Sequence, residues 1–158
     1  MNKTMVVGLT AALLVGCGEP KSQQENRLAI TQQNVSGAWQ CDYKLTDIKT
    51  KVYVSYGKSG DFSGRVFLNY PLTTGKSAVT VELVTSGSWH LEGVMLTERF
   101  EVLSMVSANS NGNALSEPLA KALREYQLLT TEVLTLSAST MTLKEIGGEQ
   151  TQCIRRTS

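Results

Sequence analysis

The chain has 158 residues, with 15 Lys and Arg against 14 Asp and Glu, and 41% of its residues are hydrophobic, enough for one domain with its own core. So even a balance shows none of the clustered positive excess that marks a nucleic-acid binder or a polybasic membrane binder.

Lys3 gives a short positive start, and Met5 to Val15 is an apolar run of secretory-signal length, too short to cross a bilayer as a mature helix. The run ends in Leu14-Val15-Gly16-Cys17, which resembles the lipobox of bacterial lipoproteins. The resemblance implies a signal peptide over residues 1–16, cleavage after Gly16, and fatty acyl chains such as palmitate on Cys17. Each buried methylene contributes roughly 0.8 kcal/mol, so a cysteine with two or three chains holds a membrane lastingly. Gly18 stands where an aspartate would be the usual inner-membrane retention signal. In a Gram-negative cell the resemblance therefore implies the periplasmic face of the outer membrane.

Residues 17–33 are then the lipidated cysteine and a tether, since Gly18 to Gln33 is rich in Gln, Glu, Lys and Ser. One turn of helix is expected around Leu28-Ala29-Ile30. Such a tether spans on the order of 20 Å root-mean-square and places a domain of residues 34–158 just off the membrane. With Cys17 assigned to lipid, Cys41 and Cys153 form an even pair in an oxidising compartment and are expected to be a disulfide. A closed zinc site is the competing use, but it needs four Cys or His ligands and His90 is the only histidine.

From Gly37 the pattern has period two, as half-buried strands require. Trp39, Cys41, Tyr43 and Leu45 alternate with polar residues; Val52, Val54 and Tyr56 follow, then Phe62, Gly64, Val66, Leu68 and Tyr70. Further strands are expected at Val79 to Leu83, Trp89 to Leu91, Met95 to Val106, Val133 to Ser137, Met141 to Glu145 and Thr151 to Arg155. Turn chemistry separates them at Gly57-Lys58-Ser59-Gly60, Thr74-Gly75, Ser86-Gly87, Gly93, Ser137-Ala138-Ser139 and Gly147-Gly148. One helix interrupts the strands. Asn-rich loop residues precede Ser116 as a cap, Glu117-Pro118 as a first turn, and Leu115, Leu119, Leu123 and Tyr126 at helical spacing, which suits a lid or side brace. The whole predicts an all-β antiparallel up-and-down barrel of about eight strands with one inserted α-helix.

Gly37-Ala38-Trp39 resembles the Gly-x-Trp that opens the first strand of lipocalins. That resemblance implies a Trp39 packed at the closed end of the barrel, together with Gly37, under an arginine of the last strand, Arg155 or Arg156. The segments "GAWQC", "YGKSGDFSG", "GSWHLEG", "TMTL" and "QCIRR" are also similar to small bacterial lipoproteins described as lipocalin-like. The similarity covers Gly37 to Arg156.

No catalytic residue is expected. His90 would have to be the base of any Ser-His-Asp or Cys-His site, yet in Trp89-His90-Leu91-Glu92 it alternates outward. Carboxylates are scattered singly, with no Gly-rich phosphate loop and no calcium-loop spacing, so no cofactor or metal is expected. Tyr43, Tyr56, Phe62, Tyr70, Trp89 and Phe100, with Trp39 and Met105, fall on the inward phase of the strands. They either fill the core of a small barrel or line an apolar pocket for a small amphipathic or hydrophobic ligand. The alternative function is protein interaction in the envelope, as an assembly factor or a hydrolase inhibitor with a filled barrel. For that, Ser63-Gly64-Arg65-Val66-Phe67 resembles the Ser-Gly-x-x-Tyr loop of periplasmic lysozyme-inhibitor lipoproteins, with Phe67 in place of the Tyr. An inhibitor needs those residues to protrude. The expected partners are thus the membrane through Cys17, a small hydrophobic ligand or an envelope protein, and no nucleic acid.

Overall fold

Alternation of apolar and polar side chains along the strands closes here into a barrel. The computed structural model describes residues 26–45, 48–71, 79–107, 113–125, 127–145 and 148–157. Eight antiparallel strands run in sequence order: β1 (Gly37–Leu45), β2 (Ile48–Tyr56), β3 (Asp61–Tyr70), β4 (Val79–Glu92), β5 (Met95–Ser107), β6 (Leu128–Leu136), β7 (Thr140–Glu145) and β8 (Gln150–Arg155). A short helix, α1 (Gln32–Val35), precedes β1, and α2 (Asn113–Glu125) joins β5 to β6. The barrel is lipocalin-like and up-and-down. β1 closes it against β8 through three register pairs, Trp39 with Arg155, Gln40 with Ile154 and Cys41 with Cys153. The two cysteines form the expected disulfide, with their Cα atoms 4.2 Å apart, so the first strand is stapled to the last.

Connectivity gives the barrel two unlike ends. Residues 26–36, the β2–β3, β4–β5 and β6–β7 turns and residues 156–157 gather at one end; α2 lies at the other. α1 is capped by Thr31, whose side chain accepts from the Asn34 N–H, and it buries Val35. Trp39, fully buried, donates from Nε1 to the Val35 carbonyl at 2.8 Å. The Arg155 guanidinium lies 4.0 Å over the Trp39 ring and donates to the carbonyls of Ala138, Ser36 and Asn34 at 2.9, 2.8 and 2.6 Å. This arginine plugs the closed end. Arg156 instead sits 5.0 Å over Tyr53 on the outer face.

Four expectations are corrected. The single helical turn is at Gln32–Val35, not at Leu28-Ala29-Ile30, because Thr31 supplies the cap there. The described part of the tether is also engaged, since Arg27 bridges Ser137 and the Leu28 N–H donates to the Leu136 carbonyl at 2.8 Å. Val79 to Glu92 is one strand, so Ser86-Gly87 is not a turn. A Cβ on Gly87 would run into the Arg99 carbonyl, so this glycine serves the close approach of β4 to β5. The helix begins at Asn113, a turn before the expected cap at Ser116, and Pro118 falls inside it. Thr74-Gly75, Gly147 and Tyr126 lie outside the described residues.

Candidate functional site

Inward side chains form two apolar clusters with space between them. The lower one joins Val35, Trp39, Tyr56, Trp89, Leu96 and Met141 around the closed end. The upper one centres on Leu68, Val79, Val81 and Leu83, against which Leu119 and Leu123 of α2 pack. Between the clusters lies a cavity of about 380 Å³, within the range of roughly 300–1,000 Å³ typical of small-molecule sites. Gly64 faces inward between Val54 and Thr85, and the Thr85 side chain occupies the place a Cβ on it would take.

Four of the six residues expected to line a pocket do so: Tyr43, Tyr56, Phe62 and Phe100. Trp89 and Tyr70 do not. Trp89 lies beneath the cavity, its ring 4.9 Å from that of Tyr56 and its Nε1 donating to the Gly57 carbonyl at 2.9 Å. Tyr70 ends β3 and packs in the upper cluster. Alternation puts all six inward but says nothing of height along the barrel, which decides whether an inward residue meets the floor, the void or the rim.

The cavity also holds polar groups that strand periodicity passed over. Tyr56 donates to Glu98 Oε1 at 2.7 Å. Burial pushes the Glu98 carboxyl above its ordinary value, and the Tyr56 hydrogen bond draws it part of the way back. Burial also raises Tyr56 well above the usual phenol range, followed by the charge of Glu98, the neighbouring Tyr43 and the hydrogen bond to Glu98. Tyr43 is raised by burial, then by the charges of Glu98 and Glu145. Both phenols therefore remain hydrogen-bond donors at any physiological pH. Thr50 also lines the cavity, and its hydroxyl is buried with no hydrogen-bond partner among the described residues. The signal for Glu98 was present in the chain: Leu96, Glu98, Phe100 and Val102 share one phase of β5, with an acid where a core residue belongs.

The mouth lies where β5 and β6 part. Only Met95 to Arg99 of β5 pair with β6, from Glu132 back to Leu128, and α2 packs beside the upper half of β5. Leu128 and Leu129 line the cavity there yet are 56% and 38% exposed, so an apolar lip meets solvent beside Leu123 of α2. The helix is therefore both the brace and the rim of the site.

The remaining candidates lie elsewhere. His90 is exposed on β4, and Ser63 to Phe67 sits in the middle of β3, paired on both sides with β2 and β4 rather than looped out. Cys17 lies outside the described residues. Among the described residues no group of three His, Cys, Asp or Glu is placed to hold a metal ion, and no helix is long and apolar enough to cross a membrane. No protein-family model matches the chain, and no curated protein matches it in sequence. The geometry is thus the main guide to function.

Proposed function

We propose that this protein is a lipocalin-like bacterial lipoprotein, anchored by lipid on Cys17 to the periplasmic face of the outer membrane, that binds a small amphipathic or hydrophobic molecule in its barrel. The observation that carries the reading is the cavity between the two apolar clusters, with an apolar lip at its mouth and a few polar groups inside. Apolar walls supply affinity and the polar groups orient what enters. The protein acts as a carrier or sensor. The position of Ser63 to Phe67 within a paired strand favours ligand binding over hydrolase inhibition, which needs protruding residues.

Native mass spectrometry of the Cys17→Ala chain purified from a periplasm tests this. A reproducible added mass that dissociates on activation is the expected result, and it identifies the ligand. A clean apo mass, with no binding of added apolar probes, would leave the barrel without a cargo and overturn the reading.

A further inference from the structure

The cavity's polar groups have one electrical sign. Glu98 and Glu145 both line it, and among the described residues no Lys, Arg or His does. Glu98 has a hydroxyl as its hydrogen-bond partner but no cation, while the ion pairs found among the described residues, Lys51 with Asp42 and Arg65 with Glu82, are on the barrel's outside. A buried carboxylate with no counter-charge is costly, and a cationic ligand head beside it would offset that cost. The aromatic faces of Tyr43, Tyr56, Phe62 and Phe100 complete the surroundings, and such faces attract cations.

Resting on the proposed ligand-binding role, we infer that the cavity takes a cationic amphipath: a protonated primary amine whose ammonium meets Glu98 and whose apolar body lies against the valine and phenylalanine wall. An ammonium offers three N–H donors, which meet the free acceptor capacity of the Glu98 carboxylate. A ligand carboxylate would meet two like charges instead, and an alcohol would satisfy a hydrogen bond but leave Glu98 uncompensated. Charge, not shape alone, selects the ligand.

Isothermal titration calorimetry of the Cys17→Ala chain at pH 7 with octylammonium chloride, 1-octanol and sodium octanoate tests this, since the three probes differ only in the head. Octylammonium is expected to bind about tenfold or more tighter than octanol, with octanoate weakest. Glu98→Gln is expected to bring octylammonium down to the affinity of octanol, and a cooperative thermal unfolding transition shows that the variant is folded. Octanol or octanoate binding as tightly as octylammonium, or an octylammonium affinity unmoved by Glu98→Gln, would overturn the cation inference and leave the ligand-binding reading standing. Binding of none of the three would overturn both.

Discussion

Tyr56 and Glu98, from strands on different sides of the barrel wall, meet inside it through a 2.7 Å hydrogen bond. The phenol donates and the carboxylate accepts, so the pair is made for an ionised Glu98 even though burial resists that charge. The folded chain holds the Glu98 proton more tightly than the unfolded chain does. Below the ordinary carboxyl range both states are protonated and Glu98 costs nothing; as pH rises through the raised folded value, the buried charge lowers stability. Glu98→Gln keeps the shape and an acceptor for Tyr56 but cannot ionise. Its melting temperature is expected to exceed that of the parent at pH 7, with the gap closing as pH falls toward 4. A gap of constant size across that range would show that ionisation of Glu98 is not its source.

Arg155 replaces solvent for three carbonyls that would otherwise be left at the closed end, those of Ala138, Ser36 and Asn34, and covers Trp39 with its guanidinium. Arg155→Ala is expected to cost about 2–3 kcal/mol in urea unfolding, from the charge-assisted hydrogen bonds and the cation–π contact together. Arg155→Lys is expected to recover little of this, because one ammonium on a flexible stem does not reproduce the planar fork. Arg156→Ala, which removes only the contact over Tyr53, is expected to cost about 0.5 kcal/mol. Equal losses for the two arginines would contradict the role of Arg155 as the plug.

Much of this architecture was legible in the chain, and the reason is the period of the strands. Trp39, Cys41 and Tyr43 alternate without a break, and Gly57 to Gly60 and Gly93 supply turns where β2–β3 and β4–β5 reverse, with Gly60 and Gly93 at positive φ. Gly87 misled because a glycine between polar residues has the same local chemistry in a turn and at a crowded strand crossing; only the distant Arg99 distinguishes them. The site was harder to read for a related reason. Phe100 and Trp89 share the inward phase, but their heights depend on the stagger of the closed barrel, which no local pattern encodes. Glu98 was legible in principle as an acid on an apolar phase, whereas Thr50 was not, since an inward threonine is ordinary until its neighbours are known to leave its hydroxyl alone.

The Cys41–Cys153 disulfide closes a loop spanning 112 positions and reinforces a seam of only three register pairs. In the chain-entropy model a loop of this size is worth up to about 4.7 kcal/mol, and measured gains are commonly about 2–4 kcal/mol. The double variant Cys41→Ala/Cys153→Ala is expected to lose that amount in guanidinium unfolding, and added reductant to destabilise the parent but not the variant. A parent unaffected by complete reduction would mean that hydrogen bonding alone holds β1 to β8.

The proposed anchor makes a prediction in the cell. Cys17→Ala removes the only thiol outside the disulfide and with it the acyl chains, so the protein is expected to move from the membrane fraction to the soluble fraction on osmotic release. Metabolic labelling with a palmitate analogue is expected to mark the parent and not the variant. Retention of Cys17→Ala in the membrane would assign the attachment to another part of the chain.

Gly87 lies midway along β4, opposite Phe62 of β3 and Phe100 of β5. A methyl group there would meet the Arg99 carbonyl and the Phe100 Cα, both backbone, so neither can swing aside as a side chain would. Gly87→Ala must therefore push β5 away from β4, and it is expected to cost about 2 kcal/mol or more. Gly93→Ala is the informative comparison: its φ is +60° but a Cβ there meets nothing, so only backbone strain of about 1 kcal/mol is expected. The two variants should also separate in function. Displacing β5 moves Glu98 and Phe100, so Gly87→Ala is expected to weaken binding of octylammonium, whereas Gly93→Ala, in the closed-end turn, leaves it unchanged. Calorimetry on both variants at a temperature where each is folded checks this, and equal affinities would show that the approach of β4 to β5 supports the barrel but does not position the site.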